Sequence, residues 1–260
     1  MSSHSPFSNA VARQINKNIG QAIHRYKMIS HNDKIAVALS GGYDSLTLLW
    51  FLMNRLPRIP IQYELMCIHV DPGFDNSYAS KLQEYVQSLD ISIQIEYTNI
   101  GQTAHSAENR ENPCFLCSRL RRKHIFDIAE AFSCNKVALG HNKDDLIETV
   151  MLNMFYAGEI SCMQPRQPFF NGQLTLIRPL AYTDSEIIRR FAKKFQLPIF
   201  INPCPSARDS KRSDIRDMLT AFYNKNNKIK GNLFRSLHNV RLDYLLPQKD
   251  AMNERCTKRA

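Results

Sequence analysis

The sequence predicts an α/β fold, a doubly wound and mainly parallel sheet of five strands, on three observations. Short apolar runs that suit buried strands recur along the chain, each is followed by a segment with helical spacing, and the glycine-bearing polar stretches fall where the strands end. Strand, helix and strand in units of this length cross over right-handed and lie parallel. Ligands of such sheets bind outside the carboxyl ends of the strands, so the loops there are the ones to search.

Residues 7–29 carry Val11, Ile15, Ile19, Ala22, Ile23 and Tyr26 on one stripe, an amphipathic helix leading into the sheet. The first strand, 35–39, runs directly into Ser40-Gly41-Gly42-Tyr43-Asp44-Ser45 and a helix to about residue 54. Glycines let the backbone approach a phosphate, the serines add hydroxyl donors, and the helix start adds partial positive charge. Pro57 and Pro60 end that helix. A second strand, 63–70, leads to Asp71-Pro72-Gly73-Phe74, a helix spans 78–89, and a third strand spans 91–97. The glycine loop and the Asp71 turn both lie at strand ends, an arrangement suited to holding adenine and phosphates between them.

Residues 100–113 are polar and irregular, then Cys114-Phe115-Leu116-Cys117 opens a helix that continues through Ser118-Arg119-Leu120-Arg121-Arg122 to about 132. Two thiols at this spacing on a helix N-terminus suit one metal; a dithiol redox pair or two unrelated core cysteines fit the same spacing. A fourth strand, 136–139, enters Gly140-His141-Asn142-Lys143-Asp144-Asp145 and a helix over 146–155. The paired carboxylates suit a helix cap, and equally a magnesium or proton-transfer site beside phosphates. Residues 161–173 read as a proline-bearing loop and 174–177 as the fifth strand, followed by Arg178-Pro179-Leu180. Asp184 caps a helix to 195. Cys204 lies between Pro203 and Pro205, a stiff extended setting unlike that of a core cysteine. Two basic helices, 213–223 and 229–243, precede a polar tail, 247–260, expected to be disordered, with Cys256 incidental.

Four segments follow: a helical lead-in over 1–30, an α/β nucleotide-binding domain over 31–200, a helical segment over 201–246 and the tail. With 260 residues, 43% of them hydrophobic, one substantial core is expected. There is no apolar run of membrane-spanning length and no apolar signal core, so a soluble, cytoplasmic protein without membrane contact is expected. Seven cysteines, an odd number in such a setting, argue for metal or redox use over a disulfide framework. The net charge of +10 points to a polyanionic partner. Residues 208–243 hold nine Lys or Arg against four Asp, half of that excess.

The stretch Ser-Gly-Gly-x-Asp-Ser after the first strand resembles the PP-loop of the N-type ATP pyrophosphatases, which split ATP into AMP and pyrophosphate to activate an oxygen. Together with Cys114-Phe115-Leu116-Cys117, Gly140 to Asp145, Leu152-Asn153-Met154-Phe155-Tyr156 and Ile177-Arg178-Pro179-Leu180, in that order and spacing, it resembles the tRNA 2-thiocytidine synthetases, the TtcA family. The resemblance implies an adenine nucleotide alpha hydrolase-like fold. It also implies an ATP-dependent, iron–sulfur-dependent tRNA sulfurtransferase acting on the C2 oxygen of an anticodon-loop cytidine. By position it makes Cys114, Cys117 and Cys204 ligands of a [4Fe–4S] cluster with one iron left open. Ser40, Gly41, Gly42, Asp44, Ser45, Asp71 and Gly140 would then bind ATP, Asp44 with Asp144 and Asp145 would serve Mg2+, and Arg121 would neutralise the α-phosphate. The implied partners are tRNA and a sulfur donor, a cysteine desulfurase or sulfide, with a homodimer as one assembly. Two positions depart from the pattern: Tyr43 stands where close relatives have lysine, and Ala207 where many have a further cysteine. They leave room for another thiolation or a desulfuration on the same scaffold, or for an RNA-binding or iron-sensing protein with a degenerate ATP site.

Overall fold

Asn9 caps the first helix, α1 (Ala10–Tyr26), its Oδ1 accepting the Val11 N–H at 2.9 Å. The structure is a computed structural model and describes residues 6–206 and 210–246. After α1 come β1 (Asp33–Ala38), α2 (Tyr43–Arg55), β2 (Tyr63–Asp71), α3 (Ala79–Gln87), β3 (Ile93–Tyr97) and the short α4 (Ile100–Ala104). Next are α5 (Pro113–Ala131), β4 (Lys136–Leu139), α6 (Lys143–Leu152), β5 (Arg166–Phe169), β6 (Leu174–Ile177) and α7 (Ser185–Lys194). The basic helices α8 (Lys211–Lys225) and α9 (Lys228–Ser236) follow.

The sheet runs in the order β3-β2-β1-β4-β6-β5. It is parallel except for β5, which pairs antiparallel with β6. The chain leaves β1 for β2 on one side and later returns to β4 on the other, which makes the crevice between β1 and β4 the topological switch point. Side chains alternate cleanly across it. Ile35, Val37 and Leu39 face a core built with Ile15 and Ile19 of α1, Phe51 of α2 and Phe191 of α7. Ala36, Met66, Ile68 and Val70 face a second core closed by Phe126, Ile128 and Ala129 of α5.

Several expectations are corrected. The sheet has six strands, not five, because residues 166–169 of the expected loop add an edge strand. Pro168 lies opposite Thr175 there, and an edge position tolerates a residue without an N–H. The third strand starts at Ile93 rather than Ile91. The stretch 100–113, expected to be irregular, contains α4. The helix expected over 146–155 begins at Lys143, and Asn153–Ala157 continues it as a π-helical turn. The last basic helix ends at Ser236, well short of Asp243. Two compact units are present, Met1–Asp217 and Met218–Ala260, the second opening inside α8. Within the second unit the Lys230 ammonium lies 5.6 Å from the centroid of the Tyr223 ring. The tail with Cys256, and Ala207, lie outside the described residues.

Candidate active site

Gly41 carries the sharp turn of the loop, with φ of +75°. A Cβ there would stand 2.7 Å from Tyr78 Cε2 and 2.9 Å from Phe200 Cβ. Those two rings stack on each other and clamp the loop from behind. The Tyr78 hydroxyl donates to the Ser40 carbonyl at 2.7 Å, and the Phe200 N–H donates to the Gly41 carbonyl at 3.2 Å. On the inner side, Ser45 Oγ accepts the Ser40 N–H at 3.2 Å and donates to the Gly42 carbonyl at 3.0 Å. Gly42, the N-cap of α2, has no side chain to satisfy the first N–H groups of that helix, which suits an anion.

A cavity of about 350 Å3 opens at the switch point. Ser40, Asp44 and Ser45 line one side, and Ser118, Arg121 and Arg122 of α5 line another. Its apolar floor includes Ile68, Val70, Phe126, Val137 and Leu176, a surface fit for an aromatic base. Gly140 lets the loop after β4 close on the phosphate loop, since a Cβ there would be 2.8 Å from Ser45 N and 3.0 Å from the Asp44 carbonyl carbon.

Two carboxylates share this cavity. Burial, then the nearby Asp145, raises the pKa of Asp44 to about 6, while a hydrogen bond from Asn142 Nδ2 at 3.0 Å works against the shift. Burial likewise pushes Asp145 up, opposed by the Asn142 N–H at 2.9 Å and by Arg212. A pair that resists carrying two charges is suited to a divalent cation. Among the described residues no three His, Cys, Asp or Glu side chains converge as the ligands of one ion. A cation here would complete its shell with phosphate and water, as magnesium commonly does.

Two imidazoles also face the cavity. His69 Nδ1 stands 2.8 Å from the Leu39 carbonyl and so carries the hydrogen, and burial lowers its pKa. Burial, and then Arg178, Arg212, Arg121 and Arg122, push His141 down to about 3, so it stays neutral and accepts from Arg178 Nε at 3.3 Å. Arg178 is itself buried. Burial, then Arg122, lowers its guanidinium to about 10.

Cys114 and Cys117 sit in the first turns of α5, where Asn112 Oδ1 accepts the Cys114 N–H at 3.0 Å. Cys204 comes from far along the chain. His105 Nδ1–H bonds the Gly101 carbonyl at 2.9 Å, which leaves Nε2 to accept from the Ser206 hydroxyl at 2.8 Å and tethers the Cys204 segment to α4. Burial raises the pKa of both Cys114 and Cys117; at Cys117 the Arg121 guanidinium works against the shift, and at both thiols Cys204 adds to it. Cys204 is thus close enough to influence both helix thiols, and the three are exposed or half-buried. A cubane cluster takes each thiolate on a different iron, so its ligands need not meet at one point, and this donor set fits it. Cys67 and Cys134 are buried in the two cores, and Cys162 Sγ donates to the Leu146 carbonyl at 3.4 Å.

Of the expected nucleotide-site residues, Gly41, Gly42, Asp71 and Asp144 are not part of the cavity wall, the two glycines acting through the loop backbone. The carboxylate of Asp71 is engaged within its own turn by the Gly73 N–H at 2.8 Å and the Ser77 hydroxyl. Asp144 accepts the Ser185 N–H at 2.8 Å and serves the start of α7, whereas Asp145 closes the capping box of α6. Tyr43 packs against the core on the α2 side, and the positive charge lining the cavity comes from α5. The residues the sequence did not single out are Tyr78, Phe200, His69 and Arg212, which reach the site from other elements. Asn142 lay inside a recognised motif without an assigned role.

Residues 9–222 match the PP-loop domain model. A tRNA-cytidine(32) 2-sulfurtransferase of Geotalea uraniireducens is 35% identical over 239 residues, covering 91% of this chain and 95% of the relative. The chain belongs to the tRNA-cytidine(32) 2-sulfurtransferase family of PP-loop proteins. Another family member, from Geobacter sulfurreducens, is 34% identical over 90% of this chain and 92% of its own length. Among solved structures, the U34-tRNA thiolase NcsA from Methanococcus maripaludis, with its [4Fe-4S] cluster, superposes with a TM-score of 0.74 at 22% identity. That match covers 91% of this chain and 80% of NcsA, and shows that the family fold is shared. No helix among the described residues is long and apolar enough to cross a membrane.

Proposed function

We propose that this chain thiolates tRNA in an ATP-dependent and cluster-dependent reaction that replaces the C2 oxygen of the cytidine named in its relatives with sulfur. One observation carries this reading. A single cavity is lined by Ser40, Asp44 and Ser45 of the phosphate loop and also by Ser118 and Arg121, which directly follow Cys114 and Cys117 on α5. Asn202, two residues before Cys204, lines it too.

The loop from Ser40 to Ser45 and the uncapped N–H groups of α2 hold the phosphates of ATP. Gly41 and Gly140 permit the close approach. Asp44 and Asp145 would hold Mg2+, which would supply positive charge beside the phosphate oxygens. Arg121 faces the α-phosphate, where its guanidinium stabilises the pentavalent arrangement as the base O2 attacks phosphorus and pyrophosphate leaves. The C2 oxygen becomes part of an AMP leaving group. Cys114, Cys117 and Cys204 would hold a cluster, which would supply a binding place for sulfur at the sulfide level. The sulfur nucleophile then adds at C2 and AMP departs with the oxygen. His141, kept neutral beside Arg178, adds no positive charge and contributes a neutral wall to the cavity. Asp71 and Asp144 shape the loops around the site. The basic helices α8 and α9 contact the tRNA backbone.

The deciding experiment is nucleoside mass spectrometry of tRNA after incubation with the anaerobically prepared enzyme, ATP, Mg2+ and sulfide. A gain of 2-thiocytidine that depends on ATP is expected. ATP-dependent thiolation of another base would redirect the substrate, and no thiolation with intact ATP binding would overturn the reading.

A further inference from the structure

Eight consecutive residues, 154–161, are exposed at the end of α6, and four of them are large and apolar. Met154, Phe155, Tyr156 and Ile160 show 42%, 56%, 48% and 64% of their surfaces, too much for side chains placed to fill a core. The cause is local. α6 buries Leu146, Ile147 and Val150, and the switch to π-helical winding at Asn153 carries the following side chains off that stripe. Such π turns recur at functional positions.

The segment is held in shape. The Asn153 carbonyl accepts the N–H groups of Gly158 and Glu159, the latter at 3.1 Å. Asn153 Nδ2 donates to the Ser161 carbonyl at 3.0 Å and to its hydroxyl at 2.8 Å. Gly158 takes the left-handed conformation that closes the loop. The rings are thus presented on a pre-formed support, which lowers the ordering cost of binding.

Charge indicates the partner. Lys211, in the first turn of α8, places its ammonium 4.5 Å from the centroid of the Tyr156 ring. Next to it, Arg212 meets Asp145 Oδ1 at 3.4 Å, at the cavity end of the same helix. Tyr156 lies eleven residues after Asp145, a path of about 16 Å along the axis. The same pairing of exposed ring and cation recurs at Phe115, with Arg119 5.5 Å from its centroid.

We infer that residues 154–160 form a stacking platform for unpaired bases of the RNA loop whose target base enters the cavity, with Lys211 on an adjacent phosphate. Aromatic faces beside cations accept any base by stacking and the backbone by charge. This rests on the tRNA reading above and adds where the rest of the loop is held.

The test compares the full-length protein's binding of an anticodon stem-loop RNA and of a fully paired RNA duplex of equal length. Phe155→Ala and Tyr156→Ala are each expected to weaken stem-loop binding roughly ten-fold, leaving duplex and ATP binding unchanged. Phe155→Trp keeps the ring and is expected to bind the stem-loop like the parent. Lys211→Ala is expected to weaken both RNAs and to reduce the salt dependence. Parent-like stem-loop binding by both alanine variants overturns the inference. So does a shift from dimer to monomer in the Phe155→Ala/Tyr156→Ala protein by sedimentation, which would make the patch a subunit contact. A parent protein with no preference for the stem-loop over the duplex would count against the tRNA reading itself.

Discussion

Asn142 Nδ2 donates to Asp44 Oδ1 at 3.0 Å, while Asn142 Oδ1 accepts the N–H groups of Asp144 at 2.9 Å and Asp145 at 3.3 Å. One buried amide therefore joins the phosphate loop to the first turn of α6. Asn142→Ala removes the cap, at a cost of about 1 kcal/mol, and strips Asp44 of the hydrogen bond that Asn142 donates to it. A modest fall in melting temperature is expected together with a much larger loss of pyrophosphate release at neutral pH. A loss of activity no larger than the loss of folded protein would show that Asn142 is only a cap.

The raised pKa of Asp44 gives a pH dependence with a definite sign. Its folded value, about 6, lies above the usual carboxylate value, so the folded state binds the proton more tightly than the unfolded chain. Stability from this group is full below the unfolded pKa and is lost as pH rises through about 6. Mg2+ binds the ionised form and therefore competes with the proton. Mg·ATP affinity, measured by calorimetry, is expected to fall as pH drops below 6. Asp44→Asn is expected to abolish pyrophosphate release, flatten that profile, and raise the melting temperature of nucleotide-free protein at pH 8.

Substituting the cysteines separates two roles. Cys114→Ala, Cys117→Ala and Cys204→Ala are each expected to lose the roughly four irons and four sulfides per chain of the anaerobic parent, and with them thiolation. Pyrophosphate exchange, which uses the phosphate loop, should survive better. Cys67→Ala and Cys134→Ala should keep the iron and lose about 1–2 kcal/mol of stability, because both thiols are packed in the cores. Cys162→Ala should keep both iron and activity. Iron and sulfide analysis with visible spectroscopy reads the first group, and thermal melts read the second.

How legible each part was in the sequence follows from the range of the interaction that fixes it. The phosphate loop shows in the sequence because its chemistry needs particular residues in succession, glycines to turn and a serine to brace them. The central parallel strands show because burial on both faces demands apolar runs, and the edge strand β3 shows through its alternation of apolar and polar residues. Asp144 and Asp145 are indistinguishable on paper: both open α6, but successive side chains on a helix point about 100° apart. Asp145 turns to the cavity and Asp144 to Ser185. Tyr78 and Phe200 could not be found because the clamp on Gly41 depends on two segments more than a hundred residues apart meeting in the fold. The strand 166–169 stayed hidden because Pro168 argues for a loop unless the edge position is known.

Gly140 offers the most direct test of how closely the two loops must approach. A methyl group there would stand 2.8 Å from Ser45 N and 3.0 Å from the Asp44 carbonyl carbon. These are backbone atoms, which cannot rotate away, so Gly140→Ala must push the loop carrying His141 and Asn142 off the phosphate loop. The displacement stretches the bond between Asn142 and Asp44 and separates Asp44 from Asp145, although both carboxylates remain. A shift approaching 1 Å at a reacting centre costs on the order of a hundred-fold in rate. The variant is expected to fold, to keep its iron, and to release pyrophosphate at about a hundredth of the parental rate. Gly172→Ala is the control: it places a side chain at a position of positive φ, but no atom of the described residues lies within 4 Å of the added carbon, so it should lose stability alone. Parental turnover in Gly140→Ala would mean that the loops tolerate separation and that the close contact is not needed for adenylation.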